Sequence, residues 1–314
     1  MSDTSGATHK LLLATSLVLI NSLFAGEIVT YDPTGSGGGS TSGTAPGTIT
    51  INGRPPYYST IAPSDKSPSD NVVTILSIGI FDTINVFGGY SDTENVENNT
   101  VNISGGAIDT SQDIYGGFSD KGSANSNTVN ISGGTINNNV YGGNSYSGSG
   151  SANSNTIKIS GGTIKNSVYG GYSHSGSTNL NTVKISDGII NSNVYGGYSH
   201  SGSVTNNTVN ILGGTISNVF GGSTINGSGV ANSNTVNISG GIINNNVYGG
   251  YSEVGSAANN TINISSGTIS GNVYGGYNNI GKVINNTVTI SGNPFFGTDT
   301  IIYGGDRVEY KGDV

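Results

Sequence analysis

From Asn71 onward, apolar side chains return at fixed places in a background of Gly, Asn, Ser and Thr. Four residues after a recurring asparagine stands an isoleucine: Ile75, Ile103, Ile131, Ile159, Ile185, Ile211, Ile238, Ile264 and Ile290. Two residues before it lies Val or Ile, as in Val101, Val129 and Ile157. A third column runs Ile108, Ile136, Ile164, Ile190, Ile216, Ile243, Ile269, and a fourth Val86, Ile114, Val140, Val168, Val194, Val219, Val247, Val273, Ile302. Val129 and Ile131 alternate with Thr128, Asn130 and Ser132, the period-two pattern of a strand with one buried face. Ile136 and Val140 are again an even number of residues apart. The spacing predicts two strands per unit, with "SGG" between them and "YGG" ending the second. No window supports a helix, because Gly and Asn are frequent and charged i,i+4 pairs are missing.

Aligned on that asparagine, the units start at Asn71, Asn99, Asn127, Asn155, Asn181, Asn207, Asn234, Asn260 and Asn286, at steps of 26 to 28 residues. A period of this length is the signature of a stacked repeat array. A single unit buries too little apolar surface to offset the entropy of ordering its chain, so hydrogen bonds to units above and below must complete its stability. The expected fold is all-β: a parallel β-solenoid (β-helix), right-handed, of about nine coils with 26–28-residue repeats. At about 4.8 Å per coil the rod would be roughly 40 Å long.

Length changes are confined to particular places. Between "GG" and the next asparagine stand nine residues in most units, but eleven in 144–154 and 223–233. From asparagine through "GG" the usual 17 residues become 19 in 99–117. Changes of two residues keep the in/out phase of the flanking strands.

Before the array, residues 1–25 read as a signal peptide: His9 and Lys10, then an uncharged run from Leu11, then small residues at Ala25 and Gly26. The run is too short for a confident membrane span, which needs about 20 residues, and no other stretch could cross. Residues 26–70 form a Gly/Ser/Pro-rich linker or N-terminal cap in which "GTITING" could supply a strand. The solenoid domain is placed at 71–305 and a C-terminal tail at 306–314.

Composition narrows the function classes. The chain has 314 residues, 53 of them glycine, and only 9% are charged, far below the roughly 25% of an ordinary globule. A net charge of −8 offers no basic footprint for nucleic acid. There is no cysteine, hence no disulfide framework and no thiolate metal site.

Candidate chemistry is sparse. The asparagine column is read as a corner ladder, where Asn tolerates unusual backbone angles and identical side chains bond up the stack. The Asn-x-Ser/Thr strings fall out of the same repeat. Lys158 and Lys184 mark the outer face of the first strand as solvated. In the outer column of the repeats' first strand, only Thr287 and Thr289 match the Thr-x-Thr ranks of ice-binding solenoids. His174 and His200 share a slot in adjacent "YSHSGS" loops without a carboxylate column, so no metal site is expected. The Gly-Gly-x-Gly-x-Asp calcium repeat and the Gly-rich phosphate loop are both absent. Between Asp120 and Asp299 the acids are Asp187 and Glu253, and arginine occurs only at 54 and 307. No acid–base pair can be assembled from the regular coils, so neither catalysis nor a cofactor is expected.

Two aromatic columns stand out. Before the glycine pair come Phe87, Tyr115, Tyr141, Tyr169, Tyr195, Phe220, Tyr248, Tyr274 and Tyr303. After it come Tyr90, Phe118, Tyr172, Tyr198, Tyr251 and Tyr277. They can stack along the rod and cover its glycine corner. They can also form a contact surface, since Tyr gives large area at low entropy cost. The candidate binding residues are Tyr141, Tyr169, Tyr172, Tyr195, Tyr198, Tyr248, Tyr251, Tyr274 and Tyr277.

A signal-like N-terminus followed by "NISGGTI" and "NVYGGYS" repeats resembles the passenger region of bacterial autotransporter adhesins, over about 71–305. The resemblance implies an exported rod at the cell surface, outer membrane or in the medium, contacting a protein or glycan of a host or neighbouring cell. Nine residues follow Gly305, too few for the family's membrane β-barrel, whose strands are each about ten residues long. The expectation is therefore a passenger truncated or split from its barrel, or one leaving by another route. Self-association through uncapped coil ends is a further expectation. The alternatives are a purely structural envelope or matrix solenoid and, more distantly, a glycan-processing β-helix enzyme.

Overall fold

A computed structural model describes residues 28–30, 48–52, 60–61, 69–77, 85–108 and 113–307. The signal peptide expected at 1–25 lies outside them. Among the described residues every regular element is a strand, and no helix is long and apolar enough to cross a membrane. The strands pair in parallel, each unit with its counterpart in the next, as a parallel β-solenoid.

One coil shows how the sequence builds it. Thr156–Ile164 forms the first side, Val168–Ser173 the second, and Thr178–Asn179 a short third. Equivalent residues stack in register: Ile157 on Val183, Ile159 on Ile185, Val168 on Val194, Thr178 on Val204. The inward column of Ile and Val is 0–2% exposed from Val73 to Val273 and forms one continuous core. The predicted strand "GTITING" is present: Thr48–Asn52 pairs with Val72–Ser77, placing Ile49 beside Val73 and Ile51 beside Ile75.

Three details differ from the sequence reading. "YGG" does not end the second strand but lies inside it, as in Val140–Ser145 and Val168–Ser173. "SGG" is a bulge as much as a break. The strand Thr156–Ile164 runs through it with register shifts around Ser160, where Gly162 adopts φ 88°. The third strand was missed because it is only two or three residues long. Its inward side chains are small, as in Val96, Ala124, Thr178, Val204, Ala231 and Ala257.

The asparagine column is a buried ladder. The Nδ2 of each donates to the Oδ1 of the next at 2.9–3.1 Å. The same Oδ1 accepts the backbone N–H of the preceding ladder residue, as Asn181 does from Asn155 at 2.9 Å. A second Nδ2 proton goes to a carbonyl on the third side of the coil: Asn181 to Ala152 O and Asn207 to Thr178 O, both at 2.8 Å. The strained backbone, however, belongs to the residue before the ladder. Ser154, Leu180, Asn206 and Ser233 take φ of 56–58°, turning the chain into the corner and leaving the asparagine free to bond.

Candidate functional site: a double column of aromatic rings

The second strand carries both aromatic columns, and its glycine pair explains how. In Val168–Ser173 the burial order puts Val168, Gly170, Gly171 and Ser173 inward and Tyr169 and Tyr172 outward. Simple alternation would send two side chains three residues apart to opposite faces. Two consecutive inward glycines reset the phase. Both are dictated by close approach: a Cβ on Gly170 would lie 2.3 Å from the Gly196 carbonyl oxygen, and one on Gly171 2.5 Å from Ala152 O and from Asn181 Nδ2. The strand presses against the ladder, and the tyrosines are turned out together.

Ser173 then closes the coil. Its Oγ donates to Gly150 O at 2.8 Å and accepts from Gly176 N–H at 2.8 Å, an arrangement that Ser199 repeats with Gly176 and Gly202.

The first ring column, Phe87 to Tyr303, is continuous: successive centroids are 4.7–5.1 Å apart with planes within 16°. Several of its hydroxyls are tied to the chain. Asn193, Asn246 and Asn272 donate to Tyr195, Tyr248 and Tyr274 at 2.9–3.0 Å, and Tyr115 donates to Asp113 at 2.9 Å. Tyr141 and Tyr195 are only 9% exposed, and Tyr169, Tyr248 and Tyr274 are half-buried. Burial holds the hydroxyl pKa of Tyr141, Tyr169 and Tyr195 above the ordinary value and pushes that of Tyr248 up to about 12. Burial likewise raises the Asp113 carboxyl, against the hydrogen bonds from Tyr115 and Asn139.

The second column is looser and interrupted. Tyr172 stacks on Tyr198 and Tyr251 on Tyr277, each at 5.3 Å, while their edges meet the first column at 5.3–6.0 Å. All four are half-buried. Among the described residues no hydrogen bond within the chain ties the hydroxyls of Tyr172 and Tyr198, which burial keeps protonated well past neutral pH.

The column lacks a ring at Asn144 and at Ser223, both buried. These gaps open the two eleven-residue segments. At the first, Tyr146 returns from the longer loop, 57% exposed, and its ring lies 6.0 Å from Phe118. Sequence reasoning passed over Tyr146 because it stands off the column, although the two extra residues were the available signal.

The candidate tyrosines thus divide. Tyr141, Tyr169, Tyr195, Tyr248 and Tyr274 form the covered base, and Tyr172, Tyr198, Tyr251 and Tyr277 the accessible rank above it. His174 and His200 stack at 4.9 Å beside this rank, and Asn226 meets His200 Nε2 at 2.7 Å. Among the described residues no group of three His, Cys, Asp or Glu side chains could hold a metal ion. What the surface offers is flat aromatic area edged by neutral hydroxyls, suited to stacking and hydrogen bonding.

No protein-family model, curated protein or solved structure matches the chain.

Proposed function

We propose that the chain is a non-enzymatic, exported surface-contact rod, an adhesin-like passenger that touches a cell-surface glycan or protein through its outer tyrosine rank. One observation carries this reading. Tyr172 with Tyr198, and Tyr251 with Tyr277, stack as pairs on successive second strands yet stay half-exposed, and the core is complete without them. Tyrosine in this setting gives a large, pre-ordered contact area at little conformational cost. The likeness to autotransporter passengers, carried by the signal-like N-terminus and the repeats, supports export and surface display.

The test is binding of the purified chain to intact cells and to immobilised surface glycans, comparing the natural protein with a Tyr172→Ser, Tyr198→Ser, Tyr251→Ser variant. Saturable binding lost in a variant that keeps its thermal midpoint within a few degrees supports the contact role. Equal binding by both proteins refutes the role of the tyrosines, and no binding by either leaves the structural-matrix alternative. Antibody labelling of intact source cells, with and without external protease, tests display.

A further inference from the structure

The outer face of the first strand carries a second column of stacked side chains: Thr74, Asn102, Asn130, Lys158, Lys184, Asn210, Asn237, Asn263 and Thr289, each in register with the next. Where two asparagines are neighbours, the Nδ2 of one donates to the Oδ1 of the one before it. Asn130 does so to Asn102, Asn237 to Asn210 and Asn263 to Asn237, at 2.8–2.9 Å. In the middle the ladder is replaced by two exposed lysines directly opposite each other. Like charges facing across a strand pair destabilise the sheet. The fold therefore gives up amide bonds and accepts repulsion at one place on a chain whose net charge is −8.

The charge there is all of one sign. Lys158 and Lys184 offer only donors, and the nearest amides, Asn130 and Asn210, already bond to Asn102 and Asn237 on their far sides. The two lysines line a groove with Asn130, Ser132, Ser160 and Ser186, and no carboxylate lines it. The hydroxyls of Ser132, Ser160 and Ser186 make only long bonds to carbonyls of the preceding coil, at 3.3–3.5 Å, and can turn outward. Lys158 and Lys184 leave neighbouring strands directly opposite each other, with backbones about 4.8 Å apart, so both ammonium groups can reach the oxygens of a single bound oxyanion.

We infer that this groove is an oxyanion-binding site, taking a sulfate or carboxylate group of an acidic polysaccharide laid along the rod. It lies on a different strand from the tyrosine rank and stands or falls independently of it.

The test measures binding of the full chain to dextran sulfate, neutral dextran and inorganic sulfate at low and moderate salt. It compares the natural protein with a Lys158→Asn, Lys184→Asn variant, which restores the amide ladder. That variant should gain stability, raising the thermal midpoint on the order of 2 °C, so lost binding cannot be blamed on misfolding. Loss of two charge-assisted contacts should weaken dextran sulfate binding about ten- to a hundredfold. Binding by the natural protein should also fall as salt screens the pair. Absence of dextran sulfate binding, or equal binding by the two proteins, overturns the site. Displacement of the polymer by inorganic sulfate at equal sulfate concentration overturns the polysaccharide as its occupant.

Discussion

Two asparagine columns run along this rod, one inside and one outside, and only one is uninterrupted. Inside, Asn71 through Asn286 occupies the corner of every coil, and Asn99 through Asn260 are 0% exposed. The Asn181 amide answers for four polar groups beyond itself: the Oδ1 of Asn207, the Ala152 carbonyl, and the backbone N–H and Nδ2 of Asn155. Outside, the same residue type stacks at the same spacing, but each amide bonds only to its neighbours and borders water. There the column changes to Thr at both ends and to Lys in the middle. The difference teaches that repetition alone does not mark structural necessity; burial does. An inner amide has no substitute partner, whereas water replaces an outer one.

The sharpest way to break this comparison is Asn181→Ala. It removes the donors to Asn207 Oδ1 and Ala152 O and the acceptor for Asn155 N–H and Nδ2. Several buried groups are orphaned together, so the expected loss is about 3–5 kcal/mol by denaturant unfolding. A loss below about 1 kcal/mol would show that the corner relaxes or admits water, and the distinction between the ladders would fail. Gly171→Ala should follow, at about 1–3 kcal/mol, because its Cβ runs into the Asn181 amide and the Ala152 carbonyl, neither of which can yield without breaking the ladder. In the double variant with Asn181→Ala the two losses should fall short of additive, since the glycine's obstacle is partly gone.

Strand periodicity made the core and the stacking legible in the sequence, since Val129 and Ile131, and again Ile136 and Val140, stand an even number of residues apart. The ladder was legible as repetition, but not the location of strain. That strain falls on Asp70, Asn98, Ser126 or Leu180, a column of mixed Asn, Ser, Asp and Leu that stands one residue before the uniform asparagines and is masked by them. The third strand was hidden because Ala231 and Ala257 read as loop. The direction of the tyrosines was hidden as well. Tyr169 and Tyr172 share a face only because two glycines lie inward together, a backbone effect that period-two reasoning cannot produce.

The ring columns sharpen the inside–outside contrast through pH. Burial raises the pKa of Tyr248 to about 12, and it holds Tyr141 and Tyr195 above the ordinary value too. In the unfolded chain tyrosine titrates near 10. The folded state therefore holds its protons longer. This contribution is fully present below about pH 10 and is lost as pH rises through the folded values. The thermal midpoint should fall above about pH 10. Tyr195→Phe should blunt that fall while removing the Asn193 hydrogen bond at neutral pH. An unchanged alkaline slope would mean that the covered column is more accessible than its 9% exposure implies.

The smallest effect is expected from the outer ladder, and it bears most directly on the comparison. Asn237→Ala removes one bond to Asn210 at 2.8 Å and one from Asn263 at 2.9 Å. Asn237 is only partly buried and Asn263 is exposed, so water takes over the freed groups. The expected loss is about 0.5–1 kcal/mol in denaturant unfolding. Asn237→Lys should cost little more, since its neighbours Asn210 and Asn263 are uncharged. Adding a third lysine as Asn210→Lys, beside Lys184, should be worse than Asn237→Lys, because it extends a row of like charges in register. If Asn237→Ala instead matched Asn181→Ala, the outer amides would be structural. The lysine pair would then interrupt a necessary element, and the inside–outside distinction would not hold.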